Sequence, residues 1–117
     1  MITLRRVYER EEPGETYRIF IDRLWPRGLS KEKATWDEWM KDVSPSNELR
    51  RWFSHDASKW EEFRKLYKKE LAGKPGLLEK LKQLEARHGT ITLLYSSREE
   101  RYNNAVALKE FLTEQDV

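Results

Sequence analysis

Tyr17-Arg18-Ile19-Phe20-Ile21-Asp22-Arg23-Leu24-Trp25-Pro26-Arg27-Gly28 is the stretch on which the fold class turns. From Tyr17 to Leu24 the residues are β-branched and aromatic, with Ile19 and Ile21 on one face of an extended chain and Phe20 on the other. Apolar residues on both faces describe a strand that is largely buried. The strand must end at Trp25-Pro26-Arg27-Gly28, because Pro26 has no N–H for a ladder and Gly28 admits a positive φ. A loop flanked by Arg23 and Arg27 follows.

Working outward, Ile2 to Tyr8 alternates apolar and basic residues and reads as a first strand. The acidic stretch Glu9 to Glu15 then carries a turn at Pro13-Gly14. Thr90 to Tyr95, Thr-Ile-Thr-Leu-Leu-Tyr, is a third strand with apolar residues on both faces. Ser97 and Glu100 form a capping box, after which Ala105, Leu108 and Leu112 mark an amphipathic helix.

Between the second and third strands the pattern is helical. Within residues 30–43, Trp36, Trp39 and Met40 have the spacing that predicts a short helix, while Thr35 and Trp36 would also suit a short strand. Ser44 then serves as N-cap with Pro45 at the first helical position, and Leu49, Trp52 and Phe53 share a face before the helix stops at His55-Asp56. Ser58 and Glu61 make another capping box, followed by Trp60, Phe63, Tyr67 and Leu71 at helical spacing. Gly73 and Pro75-Gly76 separate this helix from a stripe of Leu77, Leu78, Leu81 and Leu84 that ends at His88-Gly89. The expectation is a small single α/β domain over residues 1–117. It has about three core strands, largely parallel or mixed, with a helical insertion between the second and third.

Composition narrows the function. Lys and Arg number 23 against 21 Asp and Glu, a net charge of +2 with neutral histidine, and the signs are interleaved, which disfavours nonspecific nucleic-acid binding. The chain has no Cys, so disulfides, thiol catalysis and Cys-ligated metals are excluded. No paired-His spacing or HExxH string points to a metal, and no cofactor motif appears. Without an apolar leader or a run of ~18 apolar residues there is no expectation of a membrane span, and the default address is the cytoplasm.

Tyr17 to Gly28, with Asp-Arg-Leu-Trp-Pro-Arg-Gly at its end, is followed by Ser44-Pro45-Ser46-Asn47-Glu48-Leu49-Arg50 and by Leu93-Leu94-Tyr95-Ser96. In that order the segments resemble the YeaO-like branch of the domain-of-unknown-function 488 family, over nearly the whole chain. The resemblance implies a small bacterial-type α/β protein and brings no established reaction with it. The wider family often carries a Cys and then a Cys-His-Arg motif after the last strand, where this chain has Tyr95-Ser96-Ser97 and Asn103-Asn104. Thiol-dependent or His-dependent chemistry is therefore not implied.

In open α/β sheets ligands bind beyond the carboxyl ends of the strands. Asp22, Arg23, Trp25 and Arg27 lie at the end of one strand, and Tyr95, Ser96 and Ser97 at the end of another, ahead of a helix whose N-terminus suits an anion. If the two strands are neighbours, these groups share one mouth. The expected ligand is a small anion, a nucleotide or phosphorylated metabolite, held by Arg23 and Arg27 with a Ser hydroxyl donating and Trp25 stacking on a base. One alternative is an enzyme acting on such a ligand with Asp22 as acid or base. Another is a partner-binding module built on an aromatic patch, for the five tryptophans lie between residues 25 and 60. That stretch has few aliphatic residues, however, so most of its rings are expected in the core. Ser44 and Ser46 could present hydroxyls to the same mouth but have a sufficient role at a helix start; His55 beside Asp56 could serve as a general base, yet a turn or helix end is the simpler role, and His88 suits a helix C-terminus.

Overall fold

Alternation along Tyr17–Phe20 (β2) sends Ile19 to one side of a sheet and Phe20 to the other, as the sequence pattern requires. The structure, a computed structural model, describes residues 1–9 and 16–114; the turn expected at Pro13-Gly14 lies outside them. Strand β2 pairs with Glu38–Trp39 (β3) on one side and Ile91–Tyr95 (β4) on the other, and β4 pairs with Ile2–Arg6 (β1). All three pairings are parallel, in the order β1-β4-β2-β3. Leu93 faces Leu4 and Ile19 across the two central ladders, and the parallel register brings the ends of β1, β4 and β2 to the same edge.

The helices are Asn47–Phe53 (α1), Trp60–Ala72 (α2), Pro75–His88 (α3) and Asn104–Glu114 (α4). Phe53, Phe63, Tyr67, Leu71, Leu81, Leu108 and Leu112 from these helices pack with Ile19, Ile21, Ile91 and Leu93 in one apolar layer. Burial of each such side chain contributes roughly 1.5–3 kcal/mol. On the opposite face a smaller cluster forms, in which Val7, Phe20 and Leu94 lie beneath Leu29, Trp36 and Trp39. Among the described residues no helix is long and apolar enough to cross a membrane.

Several local expectations give way. Residues 31–33 and 41–43 are single 3₁₀ turns, and Glu38–Trp39 is a strand rather than part of a helix. The reason lies in Asp37 and Met40: Asp37 donates its N–H to Arg18 O and accepts the Arg18 N–H on its carboxylate at 2.9 Å, while Met40 N bonds Phe20 O. Both rings then reach Phe20, Trp36 stacked at 4.7 Å and Trp39 tilted at 5.5 Å, so the i,i+3 spacing reflects a shared target. Helix α1 is capped by Ser46, whose Oγ accepts Leu49 N–H at 3.1 Å, and not by Ser44, whose hydroxyl turns back to Lys41 O. Glu70 on α2 selects Ser46 by accepting from both its N–H and its hydroxyl. The Ser58 box is likewise displaced, since Asp56 accepts from Ser58 and closes a 3₁₀ turn that leads into α2 at Trp60. Ser97 accepts Glu99 N–H in a tight turn, and α4 starts only after Asn103, whose Oδ1 accepts Val106 N–H. The core expectation for the tryptophans holds fully for Trp60 alone; Trp36 and Trp39 are half-buried, and Trp25 and Trp52 are exposed.

Candidate functional site

The common carboxyl edge of β2 and β4 opens into a cavity of about 610 Å³. That volume lies within the range of small-ligand sites. Residues after β2 (Asp22 to Trp25, Arg27) and after β4 (Ser96, Ser97) form one side of its lining. The helical layer supplies Ser44 and Pro45, Arg50 on α1, His55 beyond it, and Asn103 and Asn104 at the start of α4. Six of the seven residues singled out in the sequence therefore meet here. Tyr95 does not, because alternation along β4 turns its ring into the helical layer, where burial first and the nearby Glu100 and Glu9 next raise its hydroxyl pKa.

Asp22 is the tie between the elements. One carboxylate oxygen accepts Ser96 N–H at 2.9 Å and the Ser96 hydroxyl at 2.6 Å, and the other accepts Asn104 Nδ2 at 3.0 Å. Its own carbonyl accepts Trp39 Nε1 at 2.6 Å. Asp22 thus holds the ends of β2, β4 and α4 together, with both carboxylate oxygens already engaged. Arg6, at the end of β1, adds a second tie by donating to the carbonyls of Ser96 and Ser97.

The cations are arranged differently. Among the described residues Arg23 donates a single long bond of 3.4 Å to Pro45 O, and its buried Nε has no hydrogen-bond partner. Arg50 reaches Asn47 Oδ1 at 3.4 Å, and none of Arg23, Arg27 and Arg50 is ion-paired among the described residues. Buried donors without partners are uncommon and costly. Arg23, Arg27 and Arg50 line one cavity together with a carboxylate that is already bonded, which leaves the lining with an excess of positive charge and of donors. The N-terminal turn of α4, itself the positive end of a helix dipole, adds to the same field.

Trp25 stands at the rim. Its Nε1 donates to Leu29 O at 2.7 Å, and its ring meets Trp36 and Trp39 edge-on at 5.1 and 5.8 Å. The ring is thereby fixed while the residue stays 40% exposed, beside Leu24 at 61%. Opposite, Ser54 and His55 take φ of +44° and +58°, and His55 Nδ1 lies 3.5 Å from the Ser97 hydroxyl. Ser54→Gly is expected to stabilise the protein by about 0.5 kcal/mol, the left-handed strain relieved less the added freedom of an unfolded glycine. A thermal melt checks this, and an unchanged or lower midpoint would show the turn to be unstrained.

Among the described residues no group of three or more His, Asp or Glu is placed to hold a metal. A smaller hollow of about 170 Å³ between α2 and α4 is lined by Arg64, which is paired with Glu61 and Glu110. Sequence reasoning missed Arg50 and Asn104 and favoured a turn or helix end for His55 over a part in the site. Asn103-Asn104 ahead of Ala-Val-Ala-Leu carried a usable helix-start signal, since Asn is a preferred N-cap.

With this geometry in hand, comparison with known proteins gives a family match over residues 1–116, to the model described as the inactive DUF488-N3 subclade. The chain belongs to that subclade. The Escherichia coli K12 protein named "Uncharacterized protein YeaO" is 39% identical over 111 residues, covering 95% of this chain and 96% of that protein. "Uncharacterized protein Rv3073c" of Mycobacterium tuberculosis H37Rv and "Uncharacterized protein Mb3100c" of Mycobacterium bovis are each 34% identical over 111 residues, 95% of this chain and 92% of theirs. No solved structure gave a significant match. The YeaO-like resemblance read from Tyr17 to Gly28 and from Leu93 to Ser96 is thus upheld across the subclade's length.

Proposed function

We propose that this member of the subclade binds a small anionic ligand, a nucleotide or a phosphorylated metabolite, in the cavity bounded by Arg23, Arg27, Ser96 and Ser97. Arg50 extends the set. The observation that carries the reading is that three arginines without ionic partners among the described residues line one cavity, one of them with a buried Nε that lacks a hydrogen-bond partner among those residues. An incoming phosphate or carboxylate would supply the missing acceptors in bidentate fashion. Binding without turnover is also consistent with the description of the subclade as inactive and with Ser96-Ser97 standing where relatives in the wider family carry Cys. The exposure of Leu24 and Trp25 favours a second reading, a protein partner seated on that rim.

A thermal-shift screen against nucleotides, phosphorylated metabolites and simple anions tests the first reading, run on wild type, Arg23→Ala and Arg50→Gln. Ligand present well above its Kd should raise the wild-type midpoint by several degrees. The shift should shrink or vanish in both variants. Arg50 is exposed on α1 and tolerates exchange, so Arg50→Gln guards against mistaking an unfolded variant for a lost site. If no anion shifts the wild type, the anion site falls and the partner reading takes its place.

A further inference from the structure

We infer that the ligand is a phosphate monoester carried on a flat ring, in effect a nucleoside monophosphate, rather than a diester, a carboxylate or a bare sugar phosphate. The inference rests on the anion-binding reading above and narrows it. It joins two independent features of the cavity, its charge count and its fixed indole.

The charged side chains lining the cavity are Asp22, Arg23, Arg27 and Arg50, three cations against one anion, which leaves +2 with histidine counted as neutral. Asp22 does not absorb the excess by direct pairing, because its two oxygens are bonded to Ser96 and Asn104. A dianionic terminal phosphate balances the site. A diester or carboxylate carries one charge, leaves the site at +1 and forgoes one of the charge-assisted pairs that a dianion makes. A terminal phosphate also presents three acceptor oxygens, enough to take up Arg23 Nε and the weakly engaged Nη2 groups of Arg23 and Arg50 together. His55 Nδ1 and the Ser97 hydroxyl, 3.5 Å apart, meet where the two sides of the lining join.

Trp25 accounts for the rest of the ligand. Its indole is held by Leu29 O and by T-shaped contacts with Trp36 and Trp39, yet the residue is exposed at the rim of the cavity. Leu24 lies exposed next to it and lines the same cavity. A rigid, half-open aromatic face beside an arginine cluster suits a planar base attached to the phosphate, since stacking strengthens binding without demanding a particular hydrogen-bond pattern.

Isothermal titration of the intact chain with AMP, cyclic AMP, ribose 5-phosphate and sulfate, at one ionic strength, tests the inference. Cyclic AMP keeps the base and loses a charge, while ribose 5-phosphate keeps the charge and loses the base. AMP should bind about tenfold or more tightly than either, given the strength of charge-assisted hydrogen bonds and of base stacking. Trp25→Leu should bring AMP down toward ribose 5-phosphate and leave ribose 5-phosphate unchanged. Cyclic AMP binding as well as AMP overturns the charge argument, and ribose 5-phosphate doing so overturns the role of Trp25. A 5′-phosphorylated oligonucleotide binding more tightly than AMP also overturns it, because the ligand is then a nucleic-acid end. If sulfate binds at the arginines and AMP does not, the monophosphate is rejected and the anion site stands; if none of them binds, both fall.

Discussion

Asp22→Ala is expected to cost about 3 kcal/mol of folding stability, a loss carried by three orphaned donors and not by any lost chemistry. The Ser96 N–H, the Ser96 hydroxyl and Asn104 Nδ2 all point at the carboxylate. Charge-assisted bonds of this kind are worth roughly 1.5–3 kcal/mol each, but water from the open cavity replaces part of what is lost. For a domain of this size the midpoint should drop by about 10 °C. Asp22→Asn retains one acceptor, which can keep the Ser96 pair while Asn104 is left without its partner, so the cost should be nearer 1 kcal/mol. Denaturant unfolding of the two variants checks the order. If Asp22→Ala proves as stable as wild type, the three bonds do not hold the strand ends together, and Asp22 becomes available for the acid–base role that its engagement now argues against.

The same residue shows why part of the site was legible in the sequence. Asp22 follows a strand whose two faces are both apolar, and Ser96 follows another such strand, so both fall at carboxyl ends whatever the details of the helices. Arg23, Trp25, Arg27 and Ser97 come along with them. Adjacency of β2 and β4 was the missing condition, and the sequence does not encode strand order in any local pattern. Arg50 and His55 were illegible for a different reason. Their position depends on α1 being seated by Phe53 against Phe63, stacked at 4.2 Å, a contact between residues ten apart across a turn. The start of α4 was misjudged because Ser97 and Glu100 satisfy a capping-box spacing, whereas Asp22 and Arg6 hold Ser96 and Ser97 in a loop and prevent helix from beginning there. The two-residue strand β3 was hidden because Trp36 and Trp39 imitate helical periodicity while both reach Phe20.

Above pH 10 the stability of the protein is expected to fall by about 1.4 kcal/mol for each pH unit through Tyr67 alone. The Tyr67 ring is fully buried, and its hydroxyl donates to Val43 O at 2.6 Å. Burial foremost, with the charges of Asp22 and Glu70 adding to it, raises its pKa above the unfolded value of 10.0. A group whose folded pKa is raised binds its proton more tightly when folded, so its contribution is complete below pH 10 and is lost as the pH rises beyond it. Over two units the loss is about 3 kcal/mol. Tyr67→Phe removes the titration but leaves Val43 O without its donor, at a cost of about 1–2 kcal/mol near neutrality. The two stability curves should therefore converge above pH 10 and cross near pH 11, where roughly 1.4 kcal/mol has been lost from wild type. Parallel curves in urea unfolding from pH 8 to about 11.5 would mean that Tyr67 ionises without unfolding the chain. The bond also bears on the candidate site. Val43 leads directly into Ser44 and Pro45, which line the cavity, and Pro45 O is the acceptor that Arg23 reaches at 3.4 Å. Loosening that wall in Tyr67→Phe should weaken anion binding at neutral pH by less than Arg23→Ala does, because the guanidinium itself is retained.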